Sequence, residues 1–352
     1  MSFAPPMPST GQLSAAGACQ VELHSRACTA REQSFGNRVF IRGVVEISNY
    51  CRENCSYCGM RRDNRELPRF RATAEALATH VLATRPPWVT DLNLQAGEDP
   101  VAVREIALPL LRRLRQETDV RLSVGLGSLD HATYDALRDA GATVYIIKFE
   151  TGNADHYRQI SAPGTLAERI AHIRWLAAHG WHVSSGFIAG LPGQSPADLI
   201  ANFQLAAELP LKGCSVSPFI PGDQTPLAGA AAGDASLALN AIASLRLLRP
   251  DWVIPAVSAL NLDTAAPGQG LRRGLRAGAN LLTMNLTPPE LRADYLIYKR
   301  NRFIVEAEAI LEALNAEGME PSPVSMADHF ASRDPGDQPG AGTGAGPAGH
   351  AG

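Results

Sequence analysis

The chain has 352 residues, and 32 lysines and arginines against 35 aspartates and glutamates give a formal net charge of −3. This length fits one large domain or two of medium size. No dense basic run points to a nucleic-acid partner, and no run of about twenty apolar residues predicts a membrane span.

The amino-terminal segment is rich in Pro, Ser, Gly and Ala and has little hydrophobic periodicity, so disorder is predicted over residues 1–18. It lacks the charged and apolar regions of a secretory signal. Cysteines in such a chain are expected to be metal ligands or free thiols rather than disulfides. These features predict a cytoplasmic protein in which Cys19 and Cys28, which have no neighbouring cysteine, are ordinary free thiols.

Residues 44–64, VVEISNYCRENCSYCGMRRDN, are the most informative segment. The β-branched and apolar run Val44–Ile47 predicts a buried strand, and the loop after it carries Cys51, Cys55 and Cys58. Thiolates favour zinc or iron–sulfur clusters. A closed zinc site needs four ligands, usually in two pairs, and no second pair exists here. Three ligands therefore indicate a metal site with one open position.

From this strand onward, apolar strand candidates alternate with amphipathic helical stretches. Strands are predicted at Val44–Ile47, Asp91–Gln95, Arg121–Val124, Thr143–Ile147, His182–Phe187, Gly213–Pro218, Val253–Ser258 and Ala279–Met284. Helices are predicted at Thr73–Leu82, Val101–Thr118, Asp130–Ala140, Leu166–His179, Pro196–Leu209, Ala235–Leu248, Leu271–Ala277 and Asn301–Ala316. Repeated strand–helix units predict an α/β fold, a (β/α)8 TIM-type barrel. An open doubly wound sheet is the alternative, because the sequence does not reveal strand order.

The predicted barrel domain spans residues 19–316. Beyond it the composition changes, and the final run is a low-complexity mixture of Gly, Ala and Pro that cannot bury apolar surface. A disordered tail is therefore predicted over residues 317–352.

The distinctive residues follow several predicted strands, and in a parallel barrel the C-terminal ends of the strands carry the functional groups. QAGED occupies residues 95–99 after the second strand, Glu150 follows the fourth, and GLPGQ occupies residues 190–194 after the fifth. Each also has an ordinary interpretation, as a turn or a solvated surface charge. Their common position favours a single site.

The CxxxCxxC pattern, with the aromatic Tyr57 before its last cysteine, resembles the signature of the radical S-adenosylmethionine (SAM) superfamily. The resemblance implies that Cys51, Cys55 and Cys58 hold a 4Fe-4S cluster whose fourth iron binds SAM, and that reduction cleaves SAM to a 5′-deoxyadenosyl radical. The wider run SNYCRENCSYCGMRRDN resembles the HydE-like group, which includes an FeFe-hydrogenase maturase, methylornithine synthase and biotin synthase. This resemblance covers roughly residues 38–298 and favours the barrel.

The same resemblance implies which residues contact SAM. The implied contacts are Tyr57, Gln95, Gly97, Glu98, Glu150, Arg169 and Leu191. QAGED is similar to the family motif that receives the SAM amino group. Glu150, followed by a threonine, matches the carboxylate that binds the ribose hydroxyls. Arg169 matches an arginine that contacts the SAM carboxylate, and Leu191 belongs to a motif that lines the adenine side.

The later strands are expected to surround the substrate, with Lys148, Ser258 and Tyr295 as candidate contacts, whereas no catalytic residue is assigned. Lys148 stands where the hydrogenase maturase has an arginine, and a lysine does not reproduce a bidentate carboxylate contact. Val257 removes a hydroxyl found in that maturase, and Lys299–Arg300 replaces a Pro-Gly turn. These differences leave SAM binding intact and put the maturase substrate in question.

The leading interpretation is a HydE-like radical SAM enzyme that acts on a small molecule with a carboxylate or sulfur, in FeFe-hydrogenase H-cluster assembly. Methylornithine-type rearrangement is the alternative. Biotin-synthase-like sulfur insertion is less favoured, because the ligands of an auxiliary cluster are not matched. The expected partners are an electron donor such as ferredoxin or flavodoxin and other maturation proteins. A non-enzymatic iron–sulfur carrier and a zinc-bound structural module remain as interpretations from other classes.

Overall fold

Parallel strands joined by helices form the centre of the structure, a computed structural model that describes residues 7–263 and 265–333. The strands are β1 Arg38–Ser48, β2 Asp91–Ala96, β3 Arg121–Gly125, β4 Ala142–Ile146, β5 His182–Ala189, β6 Gly213–Pro218, β7 Leu281–Asn285 and β8 Glu320–Pro321. Their order is β6-β5-β4-β3-β2-β1-β7, and every neighbouring pair is parallel. The short β8 pairs with the beginning of β1.

Helices connect successive strands and cover the sheet. They are α1 Thr10–Leu13, α2 Gly17–Phe35, α3 Ala74–Thr84, α4 Pro100–Ala102, α5 Leu108–Glu117, α6 His131–Asp139, α7 Ala154–Gln159, α8 Leu166–Ala178, α9 Pro196–Glu208, α10 Ala235–Leu248, α11 Gly270–Arg276, α12 Pro289–Arg292, α13 Ala307–Ala316 and α14 Met326–Ala331. A π-helical turn, Val103–Ala107, joins α4 to α5. Asp130 caps α6, and Ser195 caps α9 ahead of Pro196, in keeping with the residue types preferred at these positions. Among the described residues, no helix has the length and apolar character needed to cross a membrane.

The sheet closes into a barrel through one short segment between β6 and β7. Val253 forms a parallel bridge with Gly213, and Pro255 forms one with Leu281. Backbone hydrogen bonds reinforce both sides, because the Val253 N–H donates to Lys212 and the Asn280 N–H donates to Ile254. The predicted TIM-type barrel is confirmed. The open doubly wound sheet is wrong, and the predicted strand Val253–Ser258 is reduced to these bridges.

Residues 317–333 close the N-terminal end of the barrel. Met326 and Phe330 of α14 pack against Phe40, Val144 and Leu281, which point into that end of the barrel. The predicted disorder is therefore wrong for residues 317–333, which are ordered. Residues 334–352 lie outside the described part. The apolar residues of α14 are too few to predict a helix alone, and the open barrel end supplies the surface that they cover.

The disorder predicted at the amino terminus is wrong for residues 7–18. Residues 7–18 include α1, whose Leu13 joins the main core, while residues 1–6 lie outside the described part. The long α2 follows, and its buried residues Leu23, Ala27 and Arg31 recur every four positions. This stripe packs α2 onto α10, where Ala243 completes the contact. The polar character of the rest of α2 hides the stripe in the sequence.

A buried carboxylate fixes the closing helix and makes the stability of the fold depend on pH. Asp91 is 2% exposed and accepts the N–H groups of Met326 (2.8 Å) and Ala327 (3.2 Å). Burial nevertheless raises the pKa of Asp91 from 3.8 to about 6. The folded state therefore favours the protonated acid, and the stability that protonation contributes is lost as the pH rises through this interval.

We expect the free energy of unfolding of the wild type, relative to Asp91→Asn, to fall as the pH rises from 3.8 to about 6. The fall should reach about 3 kcal/mol, because Asn does not ionise and one pKa unit is worth about 1.4 kcal/mol. Urea unfolding of both proteins at several pH values measures this difference. A relative gain of wild-type stability with rising pH would contradict the raised pKa.

Candidate active site

A cavity of about 420 Å³ lies inside the barrel and extends to the C-terminal ends of its strands. This volume is within the range of about 300–1,000 Å³ that small-molecule sites occupy. Alternate residues of β1, namely Arg42, Val44 and Glu46, face it, because successive side chains of a strand point to opposite sides. The closed N-terminal end and the open C-terminal end give a ligand one direction of entry.

The structure brings twelve of the thirteen predicted site residues to this cavity. They are Cys51, Cys55, Tyr57, Cys58, Gln95, Gly97, Glu98, Lys148, Glu150, Arg169, Ser258 and Tyr295. Leu191 is the exception, since it is 3% exposed and packs in the main core. Ile188, near the end of β5, lines the cavity instead. Because the chain turns away from the cavity after β5, Leu191 does not line it, and the contact between Leu191 and a cofactor stays a prediction.

One arginine holds the cysteine loop together from within. The Arg69 guanidinium donates to the carbonyl oxygens of Asn49 (2.6 Å), Met60 (2.9 Å), Arg61 (2.7 Å) and Asn64 (3.1 Å). These carbonyls come from both sides of the cysteine motif. Arg69 therefore gives a loop without regular secondary structure a defined path.

The loop also packs very closely against the end of β2. A Cβ atom on Gly97 would lie 2.3 Å from the Tyr50 carbonyl oxygen and 2.7 Å from the Cys51 Cβ. At this contact, the Glu98 N–H donates to the Cys51 Sγ over 3.4 Å, and the Arg52 N–H donates to the Glu98 carbonyl over 3.0 Å. Glycine is required at position 97 because the two backbones approach so closely.

The three cysteine thiols face the same cavity. Burial raises the pKa of Cys51, and burial together with the neighbouring cysteines raises the pKa values of Cys55 and Cys58, the latter to about 12. Among the described residues, no three His, Cys, Asp or Glu side chains converge on a position for a single metal ion. The donor set is three thiols around a cavity, and it fits an iron–sulfur cluster, in which each cysteine binds its own iron.

A buried ion pair lies beside Cys51. Glu98 is 6% exposed, and its carboxylate accepts from Arg52 (3.3 Å), Arg169 (3.3 Å) and the Ser128 N–H (3.0 Å). Arg169 is 4% exposed and also donates to the Tyr157 hydroxyl over 3.3 Å. A carboxylate and a guanidinium held side by side offer one partner for an ammonium group and one for a carboxylate, as an amino acid requires.

Glu150 has an unusual backbone and an incompletely satisfied side chain. Its φ angle is 59°, in a region that residues other than glycine rarely adopt and that is enriched at functional sites. Backbone bonds to β5 hold it there, from the Glu150 N–H to Gly186 and from the Ile188 N–H to Glu150. Its Oε2 lies 3.5 Å from the Lys148 Nζ and is buried without a hydrogen-bond partner. This oxygen fits a ligand hydroxyl that would donate to it.

Three charged residues of the deeper cavity are not predicted from the sequence. The Arg302 guanidinium donates to the Glu46 carboxylate over 2.6 Å, and the side chains are 8% and 2% exposed. Arg42 donates to the Thr283 hydroxyl over 3.1 Å, and burial lowers its pKa to about 10. The alternation along β1 could have identified Arg42 and Glu46 as inward-facing, whereas Arg302 falls within the predicted helix Asn301–Ala316.

The chain between β7 and α13 covers one side of the cavity. Residues 301–306 are not helical, and α13 begins only at Ala307, so Arg302 and Phe303 are free to line the cavity. The Tyr298 hydroxyl lies 3.1 Å from the Ser258 hydroxyl across this wall. The wall therefore presents hydroxyl groups and one paired guanidinium to a ligand.

Comparisons with known proteins agree on one family. The model described as "Radical SAM superfamily" matches residues 45–206. The chain is 34% identical over 276 residues to "[FeFe] hydrogenase maturase subunit HydE" of Thermotoga maritima, and the alignment covers 78% of each protein. It is 27% identical over 308 residues to 3-methylornithine synthase of Methanosarcina barkeri, with 85% of each covered.

Solved structures reproduce the same architecture. The crystal structure of methylornithine synthase (PylB) superposes with a TM-score of 0.80 at 25% identity and covers 91% of this chain and 94% of that one. The maturase HydG from Carboxydothermus hydrogenoformans superposes with a TM-score of 0.75 at 21% identity, covering 92% and 78%. At that identity the second likeness concerns the fold alone.

We expect Gly97→Ala to lower iron incorporation, because the added methyl group would force the cysteine loop away from β2. The steric cost should be about 1–3 kcal/mol, as for overpacking elsewhere. Gly125→Ala is the matched control at the end of the neighbouring strand, since its Cβ would meet no atom closer than 3.7 Å. Iron content after anaerobic reconstitution and thermal unfolding of both variants measure the effect. Full iron loading and an unchanged melting temperature in Gly97→Ala would contradict it.

Proposed function

The chain belongs to the radical SAM superfamily, and we propose that Cys51, Cys55 and Cys58 hold its 4Fe-4S cluster and leave one iron for SAM. The observation that carries the proposal is the convergence of these thiols, the Glu98–Arg169 pair and Glu150 on one cavity. When bound and reduced, the cluster supplies the electron that cleaves SAM to methionine and a 5′-deoxyadenosyl radical.

The residues of the chain bind and orient the SAM molecule. We assign the amino group to Glu98 and the carboxylate to Arg169, because these side chains carry the complementary charges and lie beside Cys51. The Glu150 Oε2, which is ion-paired with Lys148 but has no hydrogen-bond partner, accepts from the ribose hydroxyls. Tyr57 and Ile188 line the apolar part of the cavity, where they exclude water from the reacting groups.

The deeper cavity supports a small substrate that carries an anionic group. Arg42 and Lys148 face it together with the Arg302–Glu46 pair. In the Arg302–Glu46 and Lys148–Glu150 pairs the opposite charges compensate each other. Arg42, whose guanidinium donates to the Thr283 hydroxyl, is the cation we assign to an acidic group of the substrate. Ser258 and Tyr295 line the same space and supply hydroxyl groups for orientation. A carboxylate or a sulfur-containing anion fits this arrangement.

A HydE-like role in FeFe-hydrogenase H-cluster assembly is the specific function we propose, supported by 34% identity over 78% of the chain. Such a role requires a low-potential electron donor such as ferredoxin or flavodoxin, and it implies contact with other maturation proteins. Restoration of hydrogenase activity in a strain that lacks its own HydE tests this assignment. Failure to restore activity by a stable, cluster-loaded protein would favour another substrate.

Methylornithine-type rearrangement of an amino-acid substrate is the second candidate, favoured by the TM-score of 0.80 to methylornithine synthase. A biotin-synthase-like reaction has weaker support, at 25% identity over 305 residues to biotin synthase of Gloeothece citriformis. The non-enzymatic carrier and the zinc module are set aside, because the chain is a member of an enzyme superfamily.

Anaerobically reconstituted protein should release 5′-deoxyadenosine from SAM when it is reduced with dithionite or a reduced flavodoxin. A Cys55→Ala variant serves as the control, because it removes one of the three cluster ligands. Chromatography of the quenched reaction detects the product. No product above the level of this variant under any reductant would refute the enzymatic proposal.

We expect Glu150→Gln to weaken SAM binding by roughly 10- to 100-fold, since hydrogen bonds to a charged group are worth about 1.5–3 kcal/mol. Glu308→Gln, on the exposed side of α13, is the control for the loss of one charge. Calorimetric titration of the reconstituted proteins with SAM measures both affinities. Equal affinity in Glu150→Gln and wild type would remove Glu150 from the SAM site.

A further inference from the structure

A buried carboxylate lies directly behind the cysteine loop, at the end of the QAGED motif. Asp99 is 2% exposed and accepts from the Arg71 Nε (2.7 Å), the Arg71 Nη2 (2.9 Å) and the Ser48 Oγ (2.7 Å). It also caps α4 by accepting the Val101 N–H over 3.2 Å. Burial opposes ionisation, but the hydrogen bonds from Arg71 and Ser48 keep the pKa of Asp99 below its usual value. Asp99 is therefore an ionised carboxylate that is fixed in place by the hydrogen bonds it accepts.

The partners of Asp99 hold the residue that precedes the first cysteine. The Ser48 Oγ donates to Asp99 and at the same time accepts the Tyr50 N–H over 3.1 Å. The Arg71 guanidinium lies 4.0 Å from the centroid of the Tyr50 ring, a cation–π contact. Both the backbone and the side chain of Tyr50 are thus tied to Asp99, and Cys51 is the next residue.

Glu98, the residue before Asp99, contacts Cys51 through its backbone and Arg169 through its side chain. The Glu98 N–H donates to the Cys51 Sγ over 3.4 Å, and the Glu98 carboxylate binds Arg169 over 3.3 Å. Because Glu98 and Asp99 are adjacent in the chain, we expect a displacement of Asp99 to change the distance between this N–H and the sulfur. Hydrogen bonds to ligating sulfurs help to set the reduction potential of a cluster, and the groups behind the ligands orient them.

We propose that Asp99, acting through Ser48 and Arg71, is a positioning residue that sets the distance between the Cys51 sulfur and the Glu98–Arg169 pair. This inference rests on the proposed function, because it assigns the pair to SAM and the sulfur to the cluster. Asp99 itself touches neither group. Its effect is expected on the reduction potential and on SAM affinity, rather than on whether the cluster assembles.

The test uses Asp99→Asn and Ser48→Ala in the reconstituted full-length protein. Ser48→Ala removes a single hydroxyl and keeps Asp99 paired with Arg71, so it is the variant expected to fold without difficulty. Three quantities are measured, namely iron content, the reduction potential of the SAM-free cluster from an EPR-monitored titration, and the dissociation constant of SAM from calorimetry. We expect normal iron content, a more negative potential as the N–H···S bond lengthens, and about 10- to 100-fold weaker SAM binding.

Asp91→Asn is the matched control. Asp91 lies on the same strand as the QAGED motif but at its opposite end, is also 2% exposed and likewise accepts backbone N–H groups, here those of Met326 and Ala327. Its loss should affect stability while leaving the potential and the SAM affinity per cluster unchanged. A response in the Asp99 and Ser48 variants alone therefore separates positioning from general destabilisation.

Two results would overturn the proposal. One is wild-type potential and SAM affinity in both Asp99→Asn and Ser48→Ala. The other is a loss of iron with unaltered properties of the clusters that remain, which would indicate a purely structural role. If the wild-type protein itself binds no SAM, the proposed function fails instead, and the SAM-free potential still reports on Asp99.

Discussion

The close approach of two backbones at Gly97 is the constraint on which the rest of the site depends. The loop that carries three cysteines has no regular secondary structure, and it reaches the end of β2 only because residue 97 has no side chain. That contact brings the Glu98 N–H to the Cys51 sulfur. The same short segment then delivers the Glu98 carboxylate to Arg169. One steric condition thus joins the metal ligands to the candidate SAM contacts.

Around this contact the interior of the barrel carries charged side chains, and burying a charge without a partner costs free energy. These charged side chains are ion-paired, hydrogen-bonded to backbone N–H groups or exposed to the cavity. Glu46 is paired with Arg302 over 2.6 Å, and Asp91 is capped by backbone N–H groups of the closing helix. Removing one member of such a pair leaves an uncompensated buried charge, which typically costs about 3–5 kcal/mol. The charged interior and the closed N-terminal end together define where a polar ligand can bind.

The sequence predicts a large part of this organisation, because several signals are local. The β-branched run before Cys51, the helix caps at Asp130 and Ser195 and the strand–helix alternation depend on neighbours within a few residues. Residues 7–35 and 317–333 are predicted less well. The α2 stripe that includes Arg31 and the α14 residue Phe330 become apolar contacts only against surfaces contributed by distant parts of the chain. Such surfaces are not visible in a local pattern.

By itself, the sequence determined the strand–helix alternation, the three-cysteine motif and the family resemblance, because these are properties of residue type and spacing. Only the tertiary structure decided that the barrel closes through single bridges at Val253 and Pro255, and that Arg302 reaches Glu46 from 256 residues away along the chain. It also placed Ile188 rather than Leu191 at the cavity. The direction of a side chain at the end of a strand depends on where the chain turns, and packing between distant segments sets that turn.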